Sequence, residues 1–219
     1  MKRKLMSLLS IIVLACMMTG CMRITGTIDT TKSKNKYIMT ADVWFDKAKV
    51  DSYANGQGNL SSISADGIDT SMIAPAMTQL QSYPVVTVDG KEYYKADTQK
   101  TKSNYYPNDK NDSAIITRTS LYSKDASGAM DGINTGAEGA AEEYMSEFIE
   151  KVVIKAKFSD KIKKTNGKLS KNKKVVTFSY DAKDFASNKN TEMYAYTASS
   201  ERTLAMDRAE FKKSTQNKN

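Results

Sequence analysis

From Met22 to Phe45, apolar and polar residues alternate. Met22, Ile24 and Ile28 form one arm, and Tyr37, Met39, Ala41, Val43 and Phe45 form the other, across a polar, basic connection, TTKSKNK. A period of two in both arms predicts a β-hairpin with one buried face. Asp46 can cap a short helix, KAKVDSYA, that ends at Asn55-Gly56. Residues 55–83 are rich in Ser, Gly and Asn and weakly patterned, which predicts a loop with a short helix near Met72–Gln81. Next, Asp89-Gly90 stands between VVTV and KEYY, a two-residue hairpin signal whose register sets Val86 opposite Tyr93. Residues 113–122, SAIITRTSLY, read as one strand, and SKDASGAMDGINTG as loop.

The period then changes. Ala137, Ala140, Ala141, Tyr144, Met145, Phe148, Ile149 and Val152 recur at helical spacing and predict the clearest helix. Glu138, Glu142, Glu143, Glu147 and Glu150 occupy its other side. From Val152 the period is two, through Ile154, Ala156 and Phe158. TNGKLSKNKK turns the chain, and Val176, Phe178 and Tyr180 return as a strand. DAKDF starts a helical turn, TEMYAYT is a final strand, ERTLAMDRAEFKKS is a helix, and STQNKN is a disordered tail.

The first residues do not fit this domain. Lys2, Arg3 and Lys4 precede an apolar run from Leu5 to Met18, the layout of a secretory signal peptide. As a helix the run rises about 21 Å, short of a hydrocarbon core about 30 Å thick. It ends in Met18-Thr19-Gly20-Cys21, which resembles the lipobox of bacterial lipoproteins, with Met18 in place of the common Leu. That resemblance implies cleavage between Gly20 and Cys21 and a diacylglycerol thioether (a palmitate-type anchor) on Cys21. A buried helix ending in a core Cys is the alternative, disfavoured by the KRK at its start.

Processing changes the composition. Loss of residues 1–20 takes the formal charge from +8 to +5, through Lys2, Arg3 and Lys4, and removes Cys16. Cys21 is then the one cysteine, so no intramolecular disulfide forms and the fold rests on its core. The sequence has no histidine, which excludes Ser-His-Asp and Cys-His nucleophilic sites and His-ligated zinc. An enzyme would have to use carboxylates, Lys, Tyr or Ser alone.

Four groups carry candidate chemistry. KIKKTNGKLSKNKK holds seven lysines and no acid, and Lys32, Lys34 and Lys36 lie in the first hairpin loop. Lys163, Lys164, Lys171 and Lys173 are the candidate contacts to anionic lipid headgroups or phosphate-rich wall polymers; a solvated loop is the plainer reading. Tyr93-Tyr94, Tyr105-Tyr106, Tyr194 and Tyr196 suit glycan or lipid contacts, although paired strand tyrosines more often put one ring in the core and one at the rim. The helical glutamates face water instead of pairing across a substrate. DKNDS at 109–113 is not an EF-hand, because Ala114 and Ser120 stand where Gly and the bidentate Glu are needed.

Two blocks carry a family resemblance. A hairpin directly after the lipobox Cys ends in WFDKAKVDS, and a later block runs VVIKAKFSDKIKKTNGKLSKNKKVVTFSYDAKDF and on to MYAYT. In this order they resemble the LppM-like domain of Gram-positive envelope lipoproteins, over roughly residues 21–54 and 140–198. The resemblance implies an α+β fold: a twisted antiparallel β-sheet with one or two packed helices. It also suggests lipid or glycolipid binding. Members often end in a C-terminal transmembrane helix; none is read here, which leaves the acyl chain as the expected attachment.

The expected organisation is a signal peptide over 1–20, an LppM-like domain over 21–198 with an elaborated middle at about 55–135, and a basic tail over 199–219. The expected function is non-catalytic: a lipid-anchored protein on the extracytoplasmic face of the cell membrane, binding a lipid, glycolipid or other envelope component. A structural or assembly role beside another envelope protein is the alternative, and a carboxylate-based wall-glycan hydrolase a distant third. No cofactor is expected. Nucleic acid is not expected either, because the chain is exported and its aromatics do not interleave with its lysines.

Overall fold

The computed structural model describes residues 20–32, 36–57, 73–104, 114–123, 149–181, 183–184 and 191–198. The segment before Gly20 expected as a signal peptide, Lys34, Tyr105-Tyr106, DKNDS, the stripe from Ala137 to Phe148 expected as a helix with its first four glutamates, and the tail from 199 lie outside these residues.

The opening hairpin forms as the alternation predicts. β1 (Met22–Asp29) and β2 (Lys36–Asp46) pair antiparallel, with Met22 opposite Phe45, Ile24 opposite Val43, Gly26 opposite Ala41 and Ile28 opposite Met39. These eight residues share the core face, because successive side chains alternate across a sheet. α1 (Lys47–Ala54) starts at Asp46, whose carboxylate accepts from the Lys49 N–H at 3.2 Å. α2 (Ile73–Leu80) falls within the expected Met72–Gln81. β3 (Val85–Val88) and β4 (Lys91–Lys95) set Val86 opposite Tyr93. Their turn has φ of 54° at Asp89 and 80° at Gly90, the left-handed pair such a hairpin requires.

The remaining strands are β5 (Gln99–Asn104), β6 (Ala114–Ile116), β7 (Ser120–Ser123), β8 (Ile149–Lys157), β9 (Ile162–Thr165), β10 (Lys168–Leu169), β11 (Val175–Asp181) and β12 (Met193–Thr197). One sheet has the order β10-β11-β8-β1-β2-β4-β3, with β5 also on β2; the other is β6-β7-β12-β9. Among the described residues the protein is mostly β, with two short helices and one mixed sheet, broadly α+β. The expectation of a wholly antiparallel sheet is corrected here: β8 runs parallel to β1, with Ile24 beside Val152 and Ile28 beside Ala156. Only a long crossover permits that pairing.

Other local expectations change too. Residues 149–152 are not the last turn of a helix; they open β8, where the β-branched run Val152-Val153-Ile154 favours strand. Residues 113–122 contain two strands and not one. The chain reverses at Thr117–Thr119: the Thr117 N–H donates to the Ser120 carbonyl at 2.8 Å, and the Thr117 hydroxyl accepts from the Ser120 N–H at 3.0 Å. The segment between β8 and β11 is more than a turn, since β9 leaves it for the second sheet. Tyr93 and Tyr94 are both buried, on opposite faces, instead of one in the core and one at the rim. DAKDF does start a helical turn: Asp181 accepts from the Lys183 and Asp184 N–H groups, and Asp184 accepts from that of Asp181.

The TNG and MYAYT stretches are physically joined. The Asn166 amide donates to the Glu192 carbonyl at 2.6 Å and accepts from the Tyr194 N–H at 3.1 Å, and the Thr165 hydroxyl donates to the Tyr194 carbonyl at 2.7 Å. Gly167 is required by space: a Cβ there would lie 2.5 Å from Val176 Cγ2 and 2.8 Å from the Phe178 ring. One core lies under all of this. Ile24, Ile154, Val176 and Phe178 of the mixed sheet meet Leu121, Ile162 and Met193 of the second sheet and Val50, Met77 and Leu80 of the helices. Each fully buried Val, Leu, Ile, Phe or Met contributes about 1.5–3 kcal/mol.

Candidate functional site: a paired-charge end and a basic end

β1 and β8 run in the same direction, so the domain has a Cys21 end and an opposite end. At roughly 3.3 Å per residue, the eight residues of β1 separate them by about 25 Å. Cys21 is 1 % exposed, and its carbonyl accepts from the Asp46 N–H at 2.8 Å. Gly20, before the expected cleavage point, has φ of 54°, and its carbonyl accepts from Lys49 Nζ at 3.1 Å. The first residue of β1 directly follows Cys21, so the fold begins without a tether.

The described ion pairs lie toward the Cys21 end. Arg23, 8 % exposed, donates through Nη1 to Asp89 Oδ2 at 2.8 Å and lies over the Trp44 indole at 5.4 Å. Lys91 Nζ sits 2.7 Å from Asp46 Oδ2 and 2.9 Å from Glu150 Oε2, and the Tyr93 hydroxyl donates to Glu150 Oε1 at 2.9 Å. Lys47 pairs with Asp51 at 2.7 Å, and Lys95 with Asp42 at 3.0 Å. Asp51 also accepts from the Gln81 amide and the Tyr94 hydroxyl. Burial works against the Lys91 charge, but its bonds to Asp46 and Glu150 outweigh that and hold its pKa well above the ordinary value. Glu150 was expected on a water-facing helix side; as a strand residue it belongs to this cluster instead. Asp46 and Glu150 both pair with the Lys91 ammonium.

The hairpin register alone would have identified one member of this cluster. Met22 opposite Phe45 implies Arg23 opposite Trp44, off the core face. No spacing in the chain links residues 46, 91 and 150, which three different strands bring together.

The opposite end is basic. Lys163 and Lys164 are exposed on β9, and Lys171 and Lys173 are exposed on the turn between β10 and β11. That turn is held by its own hydrogen bonds: the Lys173 N–H donates to the Ser170 carbonyl at 2.9 Å, and Asn172 Oδ1 accepts from the Lys174 N–H at 3.0 Å. Two further segments join it. The Thr30 hydroxyl donates to the Lys157 carbonyl at 2.8 Å and reaches the Arg118 carbonyl at 3.4 Å. Sequence reasoning passed over Arg118, an isolated arginine that carries no signal of its own.

These environments fix a pH response. Burial opposes ionisation of Asp42 and Asp51, but hydrogen bonds from Thr98 and Lys95, and from Lys47, Gln81 and Tyr94, hold both below the usual carboxylate range. The Arg23 hydrogen bond lowers Asp89 likewise. Their stabilisation is present above the unfolded carboxylate pKa of about 4 and is lost as pH falls through the lowered folded values. Burial pushes the Tyr180 phenol up to about 12, with Asp184 and Glu192 adding. Stabilisation from Tyr180 and Lys91 is present below about pH 10 and is lost as pH rises through their raised folded values. The melting temperature is therefore expected to be level near neutrality and to fall on both sides. A melting temperature that rises on acidification to pH 3 contradicts the carboxylate assignments.

No protein family, curated protein or solved structure matches the chain.

Proposed function

We propose that this chain is a non-catalytic envelope lipoprotein of the LppM-like kind. It is held on the extracytoplasmic face of the cell membrane by a diacylglycerol on Cys21 and binds a lipid, glycolipid or other envelope component. One observation carries the reading: the signal peptide ends in MTGC, and the first strand of the folded domain begins at the very next residue. A thioether needs more room than a thiol that is 1 % exposed. On this reading the lipidated Cys21 side chain leaves the buried position that the thiol takes.

A diacylglycerol supplies two chains, and each buried CH₂ contributes about 0.8 kcal/mol, enough for stable anchoring where one chain is marginal. Cys21→Ser should abolish incorporation of labelled palmitate and leave the protein unprocessed at this site or released. Label on the Ser variant would overturn the assignment. The assembly alternative draws support from Val85 and Leu169, exposed apolar residues on the edge strands β3 and β10, at 46 % and 36 %.

A further inference from the structure

We propose that the end of the domain opposite Cys21 is a docking surface for a flexible polyanion of linked phosphates lying beyond the bilayer, and not for the headgroups of the membrane that holds the anchor. The outward direction of this surface rests on the lipoprotein reading; its binding chemistry does not.

Strand topology makes the surface. Because β8 is parallel to β1, its last residue, Lys157, lies beside Asp29 at the far end of the sheet. The Thr30 hydroxyl ties the end of β1 to the Lys157 and Arg118 carbonyls. The Phe158 N–H donates to the Lys174 carbonyl at 2.9 Å, and the Ile162 N–H donates to the Lys173 carbonyl at 2.7 Å, which adds the lysine turn. Segments remote in sequence thus present Arg118, Lys157, Lys164, Lys171, Lys173 and Lys174, all exposed, with Lys32 on the neighbouring loop.

Among the described residues the charge of this end is unbalanced. Asp29 and Asp160 are the acidic residues described in these segments, and Asp29 already accepts from the Thr31 N–H and hydroxyl. Among the described residues, those six basic side chains form no ion pair. The pairs Arg23–Asp89, Lys91–Asp46 and Lys91–Glu150 lie at the other end. Like charges kept together and unpaired concentrate counterions, whose release on binding a polyanion favours association.

Distance and chemistry choose the partner. The surface stands about 25 Å from the anchor by strand length, against a Debye length of about 8 Å at physiological salt, so headgroup attraction is screened out when the sheet stands on its anchor. Most of the basic groups are lysines, point charges on flexible stems. They suit a flexible chain of singly charged linked phosphates better than one phosphate gripped by a bidentate fork. No cavity is needed.

The test uses inorganic polyphosphate as probe, with the acylated protein in vesicles of phosphatidylcholine or of phosphatidylglycerol, and in parallel the soluble Cys21→Ser form without residues 1–20. The variant carries Lys164→Gln, Lys171→Gln, Lys173→Gln and Lys174→Gln; the control carries Lys151→Gln and Lys183→Gln, near the Cys21 end. In all three settings the four-site variant should bind polyphosphate about tenfold or more weakly, with a shallower dependence on salt, while the control binds as the parent does. Melting temperatures should match. Equal affinity of variant and parent overturns the proposal. So does weaker polyphosphate binding on phosphatidylglycerol than on phosphatidylcholine, because the surface then faces its own membrane. If the unmutated precursor yields no acylated protein, the lipoprotein reading fails by itself, and the soluble arm still decides whether the surface binds polyanion.

Discussion

Ile154→Asp should leave no folded protein. β8 lies between β1 and β11 at the centre of the mixed sheet, and Ile154 stands opposite Gly26 on one side and Phe178 on the other. It is 1 % exposed. Truncating a buried Ile to Ala costs about 2–5 kcal/mol. A carboxylate at the same place adds the cost of an unpaired charge in an apolar interior, several kcal/mol more. Typical domains have about 5–15 kcal/mol in total, so Asp exceeds the margin while Ala leaves a weakened fold. Far-ultraviolet circular dichroism and urea unfolding separate the two, and a cooperative transition for the Asp variant near the parent's midpoint would contradict the placement of β8.

The same site offers a sharper check through its neighbour. A Cβ on Gly26 would lie 2.8 Å from Ile154 Cδ1, so Gly26→Ala forces that methyl to move. Ile154→Val removes the methyl. The two changes should therefore couple, the double variant being more stable than the sum of the singles by about 1 kcal/mol. Simple additivity would mean the contact does not explain why glycine stands there.

What the chain disclosed follows from where each element gets its order. The opening hairpin and the Asp89-Gly90 hairpin are local, and their alternation and turn residues suffice. The Asp46 cap is local as well. β5, QKTKSN, was invisible because it carries no apolar alternation; its place comes from its antiparallel pairing with β2, Lys102 opposite Ile38 and Lys100 opposite Thr40. The helix-to-strand boundary was misplaced because Ile149 and Val152 satisfy a helical spacing, while Val152 also begins an alternation. The parallel pairing of β1 with β8 depends on a crossover that no local pattern encodes. For that reason the lysine runs were legible as runs, but their gathering at the end opposite Cys21 was not.

Asp46→Ala should cost about 1.5–4 kcal/mol, because one carboxylate holds two structures. Its Oδ1 accepts from the Lys49 N–H and caps α1, and its Oδ2 sits 2.7 Å from the Lys91 ammonium. Loss of a cap costs about 0.5–2 kcal/mol. The ion pair is buried on the Asp46 side and about two-fifths exposed on the Lys91 side, so its share is discounted to about 1–2 kcal/mol. Asp46→Asn separates the contributions. Asn caps nearly as well as Asp but carries no charge, so it should lose only the Lys91 share, and that loss should shrink in high salt. The Asp46 backbone N–H still donates to the Cys21 carbonyl in both variants, so the start of β1 stays in register. Urea unfolding at neutral pH, with and without salt, gives the comparison. If Asn costs as much as Ala, the cap contributes nothing; if neither moves the midpoint, the Asp46 carboxylate stabilises neither α1 nor Lys91.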